Sequence, residues 1–133
     1  MKKISHIGIA VADIHKSSIL FSDILQTNYD LEEVPEEGVI TSFFKIGETK
    51  IELVASNQEN SAITKYLKRN NEGMHHIAFD VDDIKQEITR LKEKGIRILN
   101  EEPRIGSDNK LIIFLHPKDT NGVLIEICQK IKD

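Results

Sequence analysis

One stretch of this chain is written twice. Ser5-His6-Ile7-Gly8-Ile9-Ala10-Val11-Ala12-Asp13-Ile14 runs in step with His75-His76-Ile77-Ala78-Phe79-Asp80-Val81-Asp82-Asp83-Ile84, an offset of 70 residues (76 − 6). A second echo follows: Phe44 to Leu53, ending Lys50-Ile51-Glu52-Leu53, resembles Phe114 to Ile127, ending Leu124-Ile125-Glu126-Ile127. There the offset has grown to 74 (126 − 52), about a turn's worth of extra residues in the second half. A solenoid needs about three or more repeats to bury a continuous core, so two fused copies of one module are the reading that fits. The 133 residues suit one domain able to bury a core without staples. The expectation is a single domain over residues 1–133, with a first module at 1–56, a linker at 57–73 and a second module at 74–133.

Each module reads as β-α-β-β-β. Ile4 to Val11 alternates and is β-branched, as a strand should be. Asp13 is placed to cap a helix whose Ile14, Phe21, Ile24 and Leu25 are expected on one side. Asn28 to Val34 reads as a strand, and Val39 to Ile46 with Lys50 to Ala55 as a hairpin across Gly47-Glu48-Thr49. The polar linker carries a short helix over Ala62 to Arg69. The plan then returns: a strand from Met74 to Val81, a helix capped by Asp82 or Asp83 with Ile84, Ile88 and Leu91 at helical spacing, and Gly95 as its stop. Ile96 to Asn100, Leu111 to Leu115 and Gly122 to Gln129 are expected to complete the second set of strands.

Parity along these strands singles out four residues. Side chains alternate across a strand, so His6 shares a face with Gly8 and Ala10, and His76 shares one with Ala78 and Asp80. Bulky Ile7, Ile9 and Val11, or Ile77, Phe79 and Val81, lie opposite, suited to packing on the module's helix. Glu52 stands on the face opposite Ile51 and Leu53, and Glu126 opposite Ile125 and Ile127. A lone strand histidine or glutamate is an ordinary residue. Four in repeated register are not, because a carboxylate amid apolar runs is costly to bury unless paired or bound to a cation. His6, Glu52, His76 and Glu126 are therefore the expected ligands of one divalent ion. Two nitrogens and two oxygens suit Zn, Ni, Co, Fe or Mn better than Ca, and an octahedral ion would keep two positions open for chemistry. His75 has the wrong parity, and His15 and His116 read as helix-surface and loop residues. Lys118, Arg104 and Lys110 fall in loops and read as solvated charges.

Other classes are disfavoured. A net charge of −4 without a basic block argues against nucleic acid. Nothing in the chain reads as a signal peptide or as the roughly 18 apolar residues of a membrane span. The lone Cys128 allows no intrachain disulfide. A cytoplasmic protein is the expectation.

At His6 to Val11, Gly47 to Leu53, Gly73 to Phe79, and Phe114-Leu115-His116-Pro117-Lys118 continuing to Gly122-Val123-Leu124-Ile125-Glu126, the sequence resembles the vicinal oxygen chelate, or glyoxalase-like, superfamily. Within it the doubled histidine and the His-Pro-Lys segment resemble the methylmalonyl-CoA epimerases. The resemblance implies an α+β fold of paired βαβββ modules forming a half-barrel around one metal (Co, Ni, Mn, Zn or Mg), often as a homodimer. It implies an acyl-CoA substrate and loss of a C2 proton to a base, for which Glu126 is the candidate. One described pattern in that branch carries a glutamate base where this chain reads Gly38-Val39-Ile40-Thr41-Ser42, and a threonine cannot fill that role at neutral pH. The second base is thus unassigned. A glyoxalase I-type lactoylglutathione lyase and a non-enzymatic ligand-binding or resistance protein are the alternatives on the same fold.

Overall fold

The computed structural model describes residues 1–132; Asp133, the last residue of the expected second module, lies outside the described residues. The chain divides into two compact units, one formed by Met1–Ser5 with His76–Asp133 and the other by His6–His75. The cut therefore falls inside β1 (Lys3–Ala10) and inside β5 (Gly73–Asp80), immediately before His6 and His76.

In the His6–His75 unit the strands are ordered β2-β3-β4-β1, where β2 is Asp30–Val34, β3 Val39–Ile46 and β4 Thr49–Ser56. β1 runs parallel to β4, while β2-β3-β4 is an antiparallel meander. Helix α1 (Ile14–Leu25) starts where the Asp13 carboxylate accepts a hydrogen bond from the Lys16 N–H at 3.1 Å. Its Ile14, Phe21 and Leu25 pack with Ile9, Val11, Phe44 and Leu53 on the bulky face. Ile24 does not join them and is 63% exposed. At about 100° per residue, Ile14, Phe21 and Leu25 fall within roughly 20° of one line and Ile24 about 80° away. Helix α2 (Ala62–Asn70) covers the other face, setting Ile63 and Leu67 on Val34, Val39 and Val54.

The second unit repeats the plan in the order β5-β8-β7-β6, where β6 is Arg104–Ile105, β7 Lys110–Phe114 and β8 Ile125–Lys130. Helix α3 (Ile84–Glu93) buries Ile84, Ile88 and Leu91 against Ile113, Leu115 and Ile127. It ends at Gly95, whose φ of +80° lets the Ile96 N–H reach back to the Leu91 carbonyl. Asp83, rather than Asp82, is its cap, accepting from the Gln86 N–H at 3.1 Å. Asp83→Ala is expected to cost about 1 kcal/mol, read as a lowered urea midpoint at unchanged m-value.

One expected strand is missing: Ile96 to Asn100 makes only an isolated bridge, Ile98 with Leu115. Asn100 explains the gap. Its side-chain amide donates to the Ile112 carbonyl and its oxygen accepts from the Phe114 N–H, so a side chain takes the β7 groups that a strand would have paired. The Arg97 guanidinium and N–H bind Asp119 at 2.9 to 3.0 Å, holding that carboxyl down to about 2 and tying the segment to the turn before β8.

Candidate metal centre

Each unit builds the same half-site by the same register. In the first, β1 and β4 pair Gly8 with Glu52, and His6 lies two residues earlier on the same face. His6 Nε2 stands 3.8 Å from Glu52 Oε2, both side chains buried. In the second, β5 and β8 pair Ala78 with Glu126, and His76 again lies two residues earlier. His76 Nε2 stands 3.5 Å from Glu126 Oε1, also buried. The small residue opposite each glutamate leaves room for the imidazole to lean over it. Parity along the strands is therefore as expected where the helix-side clusters show it: Ile9 and Val11 pack with α1, and Phe79 and Val81 with α3.

The hairpins add a residue that parity on single strands does not reveal. Phe43 lies directly across from Glu52, and Phe114 across from Glu126. Phe114 meets the His76 ring edge-on at 6.0 Å and 88°, so each carboxylate is flanked by an aromatic wall on its own face. The counterpart of Phe114 is thus Phe43, and Phe44 belongs to the helix-side core. Pairing the two hairpins by register, rather than by ungapped similarity, would have found it.

Among the described residues, His6, His76 and Glu126 each offer one ligand atom, all within 4.8 Å of one another, and all three are buried. Two donors each about 2.1 Å from one ion lie about 3 Å apart when adjacent and about 4.2 Å when opposite. The 3.5 Å between His76 and Glu126 falls in that range. Imidazole nitrogens and a carboxylate are a borderline donor set, right for a first-row divalent ion. The residues fit the metal. Glu52 is outside that set of three, next to His6.

Residues 5–114 match the model of the Glyoxalase/Bleomycin resistance protein/Dioxygenase superfamily. The chain belongs to that superfamily. Human mitochondrial methylmalonyl-CoA epimerase is 41% identical over 96% of this chain and 73% of the relative. The ethylmalonyl-CoA/methylmalonyl-CoA epimerase of Cereibacter sphaeroides is 38% identical over 96% of this chain and 97% of its own. A variant of Streptomyces coelicolor methylmalonyl-CoA epimerase, solved in complex with 2-nitronate-propionyl-CoA, superposes with a TM-score of 0.93 at 35% identity, covering 98% of this chain and 95% of that one. The fold is the expected α+β glyoxalase fold.

On this glyoxalase scaffold the remaining candidates sort themselves. His75 is half-buried and edge-on to the Tyr66 ring at 4.6 Å, so it packs α2 rather than joining the metal ligands. His15 is exposed on α1, and His116 Nδ1 accepts from the Lys118 N–H in the turn after β7. Arg104 and Lys118 are exposed. Lys110 departs from expectation. It is not a solvated loop residue but the first residue of β7, its ammonium donating to Asp80 at 2.9 Å and to Ser5 at 2.8 Å. The Cys128 thiol donates to the same Asp80 oxygen at 3.3 Å. Burial pushes Asp80 up, but Lys110 outweighs it and holds the carboxyl below the ordinary carboxylate value. Burial likewise pushes Lys110 down, and the hydrogen bond and charge of Asp80 carry it above its ordinary value. The Cys128 thiol is pushed well up, by burial first and by the Glu126 charge second. Among the described residues, no helix is long and apolar enough to cross a membrane.

Proposed function

We propose that this chain epimerises methylmalonyl-CoA at C2, with one divalent metal held by His6, Glu52, His76 and Glu126, and with Glu126 moving the proton. The observation that carries the reading is the buried set of His6, His76 and Glu126 donors on a chain about 40% identical to enzymes of that activity. The metal, when bound, would act as a Lewis acid on the thioester carbonyl and stabilise the charge that develops there by several kcal/mol. The two imidazoles would fix the site, each on a strand paired with the strand that carries its own module's glutamate. A carboxylate has two oxygens, so Glu126 can ligate through one and accept the C2 proton through the other. Phe114, Ala78 and Ile112 wall that carboxylate on its own face and keep water from competing for the carbanion. A homodimer is the assembly proposed with this activity.

The test is incubation of metal-loaded protein with one epimer of methylmalonyl-CoA in deuterated water. Deuterium entry at C2 with formation of the other epimer is expected, lost on chelation and restored by a divalent ion. Lactoylglutathione formation from methylglyoxal and glutathione, without exchange at C2 of methylmalonyl-CoA, would replace this reading by the lyase. A protein that takes up no divalent ion would point instead to a ligand-sequestering member of the superfamily.

A further inference from the structure

Inversion at carbon requires a proton to leave from one side and another to arrive on the other. Resting on the epimerase reading, Glu126 serves one side only, and the other side needs a second group. We infer that Glu32 is that second acid–base residue, delivering or removing the C2 proton on the side away from Glu126.

Register carries the assignment. Glu32 on β2 lies directly opposite Thr41 on β3, Thr41 opposite Val54 on β4, and Phe43 opposite Glu52. Opposed residues of an antiparallel pair share a face, as do residues two apart on one strand. Glu32, Thr41, Phe43, Val54 and Glu52 thus line one face, and the parallel pairing of β4 with β1 continues it to Gly8 and His6. Burial agrees: Glu32 is half-buried, while Leu31 and Glu33 on the opposite face are exposed. Strands lie about 4.8 Å apart, so two strand spacings and a two-residue step set the Glu32 and Glu52 backbones roughly 10 to 12 Å apart. That is too far for Glu32 to share the ion with Glu52. It is a distance that a glutamate side chain and a bound thioester can bridge together.

The other groups on this face do not compete. Val34, Val39 and Val54 close one end under Ile63 of α2. Asp30 is exposed at the start of the edge strand, and the Lys50 ammonium lies 5.2 Å from the Phe43 ring centre. Thr41, 1% exposed, donates its hydroxyl to the Glu32 carbonyl at 3.3 Å. Its role is therefore to pin the main chain that presents Glu32, and Thr41 is a positioning residue. The protons balance. Glu126 takes hydrogen from C2 as the C–H electron pair moves into the enolate. Glu32, protonated, gives hydrogen to the other side of C2 as the enolate collapses, and exchange with water resets both carboxyls.

Glu32→Gln, metal-loaded, should invert methylmalonyl-CoA about 10²- to 10⁴-fold more slowly with little change in KM. It should still exchange C2 deuterium into the epimer that Glu126 serves, without inverting it. Circular dichroism and metal content are expected to match the unaltered protein. Inversion at the unaltered rate overturns the assignment. So does an equal loss of exchange and inversion from both epimers in a folded, metal-replete variant, which would make Glu32 structural. Should the glutamine variant fail to fold, Glu32→Asp is read the same way: inversion slowed more than exchange supports the role, and equal slowing removes it. Failure of the unaltered protein to exchange or invert at all would sink the epimerase reading itself, and so is told apart from failure of Glu32.

Discussion

Glu126→Gln is expected to slow epimerisation of methylmalonyl-CoA by about 10²- to 10⁴-fold from lost proton transfer alone, with the fold intact. The substitution keeps the volume of a side chain that is 5% exposed and packed beside Ala78 and across from Phe114. Overpacking and cavity costs are therefore small. What changes is charge. A neutral amide is a poorer metal ligand than a carboxylate and cannot accept the C2 proton. His76→Ala should be as inactive for a different reason. It removes a donor 3.5 Å from Glu126 and leaves the Phe114 ring without its edge contact, so metal uptake should fall along with activity. Metal content by mass spectrometry, measured beside turnover, separates the two roles of Glu126: a metal-replete but inactive glutamine variant assigns it the proton, a metal-free one the ion. Turnover at the unaltered rate in either variant removes the mechanism.

How much of this was legible in the sequence depends on how local the signal is. His6 and His76 could be placed because strand alternation is a two-residue rule, and the small residues at Gly8 and Ala78 mark the same face twice. Glu52 and Glu126 stand out in the sequence because carboxylates interrupt apolar runs at matching points, and of the two it is Glu126 that joins His6 and His76 in one set of donors. Ile24 of α1 leaves the buried side because its position lies about 80° round the helix from Ile14, which apolar character alone does not carry. The strand expected over Ile96 to Asn100 failed for a reason no propensity carries: the Asn100 side chain takes the place of a neighbouring strand on β7. Phe43, Phe114 and Glu32 needed the pairing of two hairpin strands, which is a tertiary fact. Lys110 needed more still, since its partners Asp80 and Ser5 lie 30 and 105 residues away along the chain. A charge beside Asn109 and Asp108 reads as loop until the fold puts a carboxylate above it.

That pair yields the largest expected stability effect. Lys110→Met should lower stability by about 3 kcal/mol, near the lower end for breaking a buried ion pair, because both side chains keep 12% and 14% exposure. The loss arises less from the missing attraction than from leaving the Asp80 carboxylate half-buried with the weak Cys128 thiol donor but no ammonium. The double variant Lys110→Met with Asp80→Leu should recover most of it, since replacing both partners removes the stranded charge. The pH dependence follows from the two shifts. Asp80 is depressed, so its contribution is present above the ordinary carboxylate value near 3.9 and disappears as pH falls through its lower folded value. Lys110 is raised, so its contribution is complete below about 10.4 and disappears as pH rises through its higher folded value. Between those limits the single-variant loss should be flat, and it should shrink toward zero in acid. Urea midpoints of the four proteins of this cycle from pH 2 to 8 check both statements. A Lys110→Met loss that the Asp80 change fails to relieve, or that persists undiminished in acid, would mean that lysine packing rather than the ion pair holds β7 in place.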